Sequence, residues 1–158
     1  MKTLQISDEK ARELHKTGSS EVKSILEESF GKDLFSGKIT DRVKTYEDAC
    51  EELGIKPLNE EELTDLGMTP DDIAYQKLKV IIKALNEGWE PDMFDSSICR
   101  YYPWFRCNNS SSSFAFDYTT YGYSAAGAGC GSRLVLKTSE LAEYCGTQFI
   151  DLWKQFIL

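Results

Sequence analysis

The residues best suited to chemistry lie in the run Cys99-Arg-Tyr-Tyr-Pro-Trp-Phe-Arg-Cys107. In an extended strand, successive side chains point to opposite faces. One face then carries Cys99, Tyr101, Pro103, Phe105 and Cys107 and is apolar. The other carries Arg100, Tyr102, Trp104 and Arg106, which sets cations beside flat rings. A further expected strand, residues 132–137, divides the same way, with Leu134 and Leu136 on one side and Arg133, Val135 and Lys137 on the other. Rings stack on bases and guanidinium groups bind phosphate. A sheet face built from Arg100, Tyr102, Trp104, Arg106, Arg133 and Lys137 would therefore suit single-stranded nucleic acid or a nucleotide. The competing expectation is that helices cover this face. Trp104 would then be core, and Arg100 or Arg106 would pair with a carboxylate such as Asp117 on a neighbouring strand.

Other chemistries find less support. The five cysteines (Cys50, Cys99, Cys107, Cys130 and Cys145) form no C-x-x-C, and the single histidine, His15, is remote in sequence. A zinc site needs four ligands at turn-compatible spacing, so neither a metal nor another cofactor is expected. The glycines of Gly127-Ala-Gly129-Cys-Gly131 precede a strand instead of opening a helix, and no lysine follows as a phosphate loop requires. The serines at 110–113 form a polar turn and not a nucleophile elbow. With no nucleophile–base pair in view, an enzyme is the least favoured class.

The elements that must position these residues read as α+β. Ser7, Ser19 or Ser20, Thr45, Asn59 and Thr69 each precede a short helix, as capping residues do. Thr69-Pro-Asp-Asp72 is the strongest start signal, with proline at the first helical position and acids in the first turn. It opens a helix whose stripe is Ile73, Leu78, Ile81, Ile82 and Leu85. Val22, Ile25, Leu26 and Phe30 form a similar stripe in the second helix. Beyond Trp89-Glu-Pro-Asp92 the composition changes to strand type, and an antiparallel meander of three to four strands is expected over 98–137. Thr138 then caps a long final helix. Its apolar face, Leu141, Cys145, Phe149, Leu152 and Phe156, would cover the sheet. Gly146 inside that helix signals close backbone packing.

The bulk numbers set the frame. The chain has 158 residues, enough for one domain with a sizeable core, expected to span 1–158. Residues 1–95 hold 22 acids and 13 bases, whereas 96–158 hold 4 acids, 5 bases and 13 of the 19 aromatic residues. An acidic helical part (1–90) thus precedes a near-neutral aromatic part (96–158). The acidic part disfavours bulk nucleic-acid binding. No apolar run is long enough to span a membrane, and the first residues lack a secretory apolar core, so a soluble cytoplasmic protein is expected.

Four segments carry a family likeness: Ile25-Leu-Glu-Glu-Ser-Phe-Gly-Lys32, Ile39-Thr-Asp-Arg-Val-Lys-Thr-Tyr-Glu-Asp-Ala-Cys50, Tyr102-Pro-Trp-Phe105, and Gly131-Ser-Arg-Leu-Val-Leu-Lys-Thr-Ser-Glu-Leu-Ala-Glu-Tyr-Cys-Gly-Thr-Gln-Phe149. Through them the chain resembles small proteins without assigned activity that are encoded by phages and prophages of gut Bacteroides-type bacteria. Val135 and Cys145 stand where other members carry an aromatic residue or Ala. The resemblance implies a phage or prophage origin and a place in the bacterial cytoplasm or the virion. The expected function is a non-enzymatic interaction or structural protein that binds a partner protein, a second copy included. Single-stranded nucleic acid or a nucleotide on the Arg/Tyr/Trp face is the alternative.

Overall fold

The computed structural model describes residues 6–92, 94–95, 97–107, 113–122 and 133–158. Among them are eight α-helices and one two-stranded antiparallel sheet, an α+β structure. By packing, the chain forms two compact units, Met1–Arg42 and Val43–Leu158.

The first unit contains α1 (Asp8–Thr17), α2 (Ser20–Phe30), a 3₁₀ turn (Lys32–Phe35) and α3 (Ile39–Arg42). Two orphan amides at helix starts are satisfied by side chains. Ser7 Oγ accepts from the Lys10 N–H at 3.3 Å, and Ser19 Oγ accepts from the Val22 N–H at 3.4 Å. His15 braces the unit: its Nε2 is hydrogen-bonded to Glu27 Oε1 at 2.8 Å, and its ring stacks on Phe35. The expected stripe on α2 buries only Leu26 fully, and Ile25 is 62% exposed. Among the described residues of this unit α2 packs chiefly against α1 and the 3₁₀ turn, which leaves part of its apolar side uncovered.

The second unit begins with α4 (Tyr46–Glu52), α5 (Glu60–Asp65) and α6 (Pro70–Leu85). The start of α4 is a capping box, in which Thr45 Oγ1 accepts from the Asp48 N–H and the Asp48 carboxylate accepts from the Thr45 N–H. At α6 the Asp72 carboxylate accepts from both the N–H and the hydroxyl of Thr69, which holds its carboxyl below the usual range. All five stripe residues of α6 are buried, packed against α4 and against the last helix, α8 (Ile150–Ile157).

Strands β1 (Arg100–Arg106) and β2 (Ala115–Gly122) form the sheet, and α7 (Ser139–Gln148) lies on it. Register pairs Arg100 with Gly122, Tyr102 with Thr120, and Trp104 with Tyr118. A bulge then shifts the pairing, so Phe105 faces Phe116 and Asp117 is the extra residue.

Two expectations about this part need correction. Of the segment expected to form a strand over 132–137, the described residues 133–137 make a single bridge, between Leu136 and Tyr101. Its other edge is closed by a side chain: Asn86 Nδ2 donates to the Val135 carbonyl at 2.9 Å, and Asn86 Oδ1 accepts from the Lys137 N–H at 3.1 Å. One amide thus replaces a neighbouring strand, and Leu134, Val135 and Leu136 are all buried instead of alternating. The expected long final helix is divided at Phe149, whose φ and ψ are −107° and 30°. The Cys145 carbonyl accepts from the Phe149 N–H and also from the Trp153 indole N–H at 3.2 Å. The turn at Phe149 sends α8 back towards α6, with Trp153 3% exposed.

Gly146 does mark close packing. A Cβ placed there would stand 2.7 Å from both Pro103 Cβ and Phe116 Cδ2, so α7 rests directly on the sheet. The glycine loop at 127–131, with Cys130, and the polar turn at 108–112 lie outside the described residues.

Candidate functional site

The sheet has one covered and one open face. The covered face holds Pro103, Phe105 and Phe116, closed by Gly146 of α7 and by Trp153 of α8, whose ring lies 5.3 Å from that of Phe105. Thr119 Oγ1 and Ser139 Oγ, 2.7 Å apart, tie the sheet to the start of α7.

On the open face, Trp104 and Tyr118 are directly opposed across the strands. Their rings stack with centroids 6.1 Å apart and planes at 22°, and each residue is 49% exposed. Tyr102 lies beside them, half-buried. Large rings held against each other lose little further freedom on binding, which suits them as contact residues.

The charges on this face differ from those read in the sequence. Arg100 is 2% exposed, so it offers no free cation. Its Nη2 donates to the carbonyls of Asp92 and Asp95, pinning the loop that precedes β1. Nε and Nη1 of the same guanidinium have no hydrogen-bond partner among the described residues. In that loop Asp95 accepts from the hydroxyl and N–H of Ser97, and these bonds hold its carboxyl below the usual range, with Arg100 adding to the effect. Phe94 projects from the loop and is 98% exposed. Arg106 is exposed but pairs with Asp117, the bulge residue, at 3.7 Å. The partnership expected for Asp117 thus falls to Arg106.

Arg133 and Lys137 do not join this face. Both lie on the segment that meets the C-terminal end of α6: Lys137 Nζ pairs with Glu87 at 2.8 Å, and Arg133 lines a cleft with Lys79, Lys83 and Trp89. The six residues grouped from the sequence therefore separate into the open sheet face (Tyr102, Trp104, Arg106), a buried clamp (Arg100) and the α6 end (Arg133, Lys137). Tyr118 and Phe94 were missed. The alternation Phe114, Phe116, Tyr118 would set Tyr118 on the face of Phe116, and only the bulge at Asp117 turns it to the other face, against Trp104. Nothing local in the sequence marks Phe94 as exposed.

Of the four described thiols, two are withdrawn, Cys99 is part-buried and Cys107 is exposed. Cys50 and Cys145 are buried, and burial pushes the Cys145 thiol up to about 12. No group of three or more metal-ligating side chains occurs among the described residues, and no helix among them is long and apolar enough to cross a membrane. No protein-family model, curated protein or solved structure matches the chain.

Proposed function

We propose that this is a non-enzymatic binding protein of phage or prophage origin, a virion component or a host-directed accessory, that docks a partner protein on the open sheet face around Trp104 and Tyr118. The observation that carries this reading is the stacked, half-exposed Trp104–Tyr118 pair on the side of the sheet opposite α7. Aromatic residues and arginine are the types most enriched where partners bind, and here Trp, Tyr and Arg106 sit together. The phage and prophage origin rests on the sequence resemblance.

The same rings would also stack on bases, which favours nucleic acid as the alternative. Charge weighs against it. Arg100 is buried, and Arg106 is matched by Asp117, so the face carries no surplus cation to hold a phosphate backbone.

The test is a Trp104→Ala/Tyr118→Ala double variant. Both positions are exposed, so the fold should survive. In the expected result, wild type either self-associates in sedimentation or retains a defined protein from host extract, and the double variant does neither. Equal behaviour of the two proteins would overturn the reading. So would salt-sensitive oligonucleotide binding that depends on Trp104, which would transfer the face to nucleic acid.

A further inference from the structure

A second place in the molecule, away from the sheet face, has the makings of a ligand site. Lys79, Ile82, Lys83 and Asn86 recur at helical spacing along one side of the α6 end. Trp89 and Pro91 follow as the chain turns away, and Arg133 and Val135 approach from the segment that Asn86 holds in place. Together they line a cleft of about 310 Å³. That volume lies at the lower end of the range for small-molecule sites, so the cleft has room for one small ligand and not for a chain.

Its charge runs against that of the chain, which has 26 acids and 18 bases. Several cations elsewhere are matched, Lys10 with Glu13, Lys77 with Glu60, Arg106 with Asp117 and Lys137 with Glu87, and what sets the cleft apart is that three cations line one space. Lys79, Lys83 and Arg133 form no ion pair among the described residues, although Glu90 lies at the same cleft. The Lys79 ammonium lies over the Tyr75 ring, 5.0 Å from its centroid, and Lys83 and Arg133 line the cleft from two different segments. Like charges around one space repel one another and raise the affinity of that space for an anion. The negative end of the α6 dipole accounts for Lys83, which stands in the last turn. It does not account for Arg133, which arrives on a different segment. Three cations against one acid leave two positive charges to be matched, which suits a dianion better than a monoanion. A phosphate monoester carries about −1.5 to −2 at neutral pH. Beside Asn86, the rest of the lining is apolar, Ile82, Trp89, Pro91 and Val135, and an indole is a suitable surface for a flat group.

We infer that this cleft binds a phosphate monoester carried on a flat heterocycle, that is, a mononucleotide-class ligand. Lys83 and Arg133 hold the phosphate, Lys79 adds to the field, and Trp89 stacks on the ring. The site is independent of the proposed docking face, since it shares no residue with it.

Calorimetric titration at low ionic strength with two probes, adenosine monophosphate and ribose 5-phosphate, tests both halves of the inference. Adenosine monophosphate should bind more tightly than ribose 5-phosphate. Lys83→Ala and Arg133→Ala should each weaken both probes by roughly tenfold, the cost of a lost charge-assisted hydrogen bond. Trp89→Ala should weaken only the nucleotide, and Trp104→Ala should weaken neither. Lys83 and Arg133 are exposed, so an unchanged circular dichroism spectrum is expected for their variants. Absence of nucleotide binding, or binding undiminished in a folded Lys83→Ala/Arg133→Ala variant, would overturn the site. Equal affinity for the two probes would overturn the heterocycle.

Discussion

The amide of Asn86 is the most informative single perturbation. It is 5% exposed and spans the two backbone groups that a neighbouring strand would otherwise satisfy, the Val135 carbonyl at 2.9 Å and the Lys137 N–H at 3.1 Å. Asn86→Ala removes both partners. A buried polar group left unpaired costs about 1–3 kcal/mol. The Val135 carbonyl, in a fully buried bond, should bear most of its cost, whereas the Lys137 N–H is nearer the surface and can recruit water. The expected loss is about 2–4 kcal/mol, a large part of the roughly 5–15 kcal/mol that holds an ordinary domain together. Asn86→Asp separates the two bonds. It keeps an acceptor for the Lys137 N–H but sets a carboxylate against the Val135 carbonyl. Once protonated, that carboxyl can donate to the carbonyl as the amide does, so the acid form is favoured in the folded state and its pKa is raised there. The penalty should therefore be small at low pH and grow as pH rises from about 4, where the unfolded side chain begins to ionise. Urea denaturation across pH measures the loss, and amide exchange at Lys137 reports the local bond. A shift in Asn86→Ala below about 1 kcal/mol with Lys137 still protected would refute the assignment. An Asn86→Asp protein as stable as wild type at neutral pH would show that the amide does not donate to Val135.

Three further outcomes follow from the packing. Gly146→Ala should destabilise by about 1–3 kcal/mol despite the better helix propensity of alanine, because its Cβ meets Pro103 and Phe116 at 2.7 Å. Gly37→Ala, with open space around it, serves as the control, and a raised urea midpoint for Gly146→Ala would contradict the contact. In native protein, a thiol reagent should modify exposed Cys107 before Cys50 and Cys145, and mass mapping of early labelling on Cys145 would contradict its burial. The raised Cys145 thiol, with Tyr46 shifted the same way chiefly by burial and then by its bond to Cys50, means that unfolding releases protons at alkaline pH. Stability should then fall as pH rises from about 9 towards 12, and a flat urea midpoint over that range would contradict the shifts.

The parts of the fold that were legible in the sequence are those fixed by local chemistry. Ser7, Ser19, Thr45, Asn59 and Thr69 stand at helix starts because an orphan N–H within the first turn needs a nearby acceptor, and that requirement is met within a few residues. The α6 stripe was legible because it has neighbours on that side, whereas the α2 stripe misled because periodicity records which side is apolar and not whether anything covers it. The third strand and the unbroken last helix failed for a non-local reason. Asn86 is 49 residues from Val135 and closes that segment's edge with a side chain, and the Phe149 turn follows from where Trp153 finds its acceptor.

The candidate site divides along the same line. Alternation placed Arg100, Tyr102, Trp104 and Arg106 on one side, but a charge on a face becomes a binding determinant only if it is both exposed and unmatched. Arg100 fails the first condition because the carbonyls of Asp92 and Asp95 draw its guanidinium under cover. Arg106 fails the second because the bulge frees Asp117 to reach it. Arg133, grouped with them by composition, meets both conditions at the α6 end. The face that looked cationic is therefore aromatic and internally neutral. Three cations without an ion pair gather at the end of α6, the longest helix among the described residues, so the two surfaces are suited to partners of different chemistry and should respond independently to salt. A rise in ionic strength should weaken phosphate binding in the cleft by screening its unpaired cations, and should leave docking on Trp104 and Tyr118, driven by burial of rings, largely unchanged.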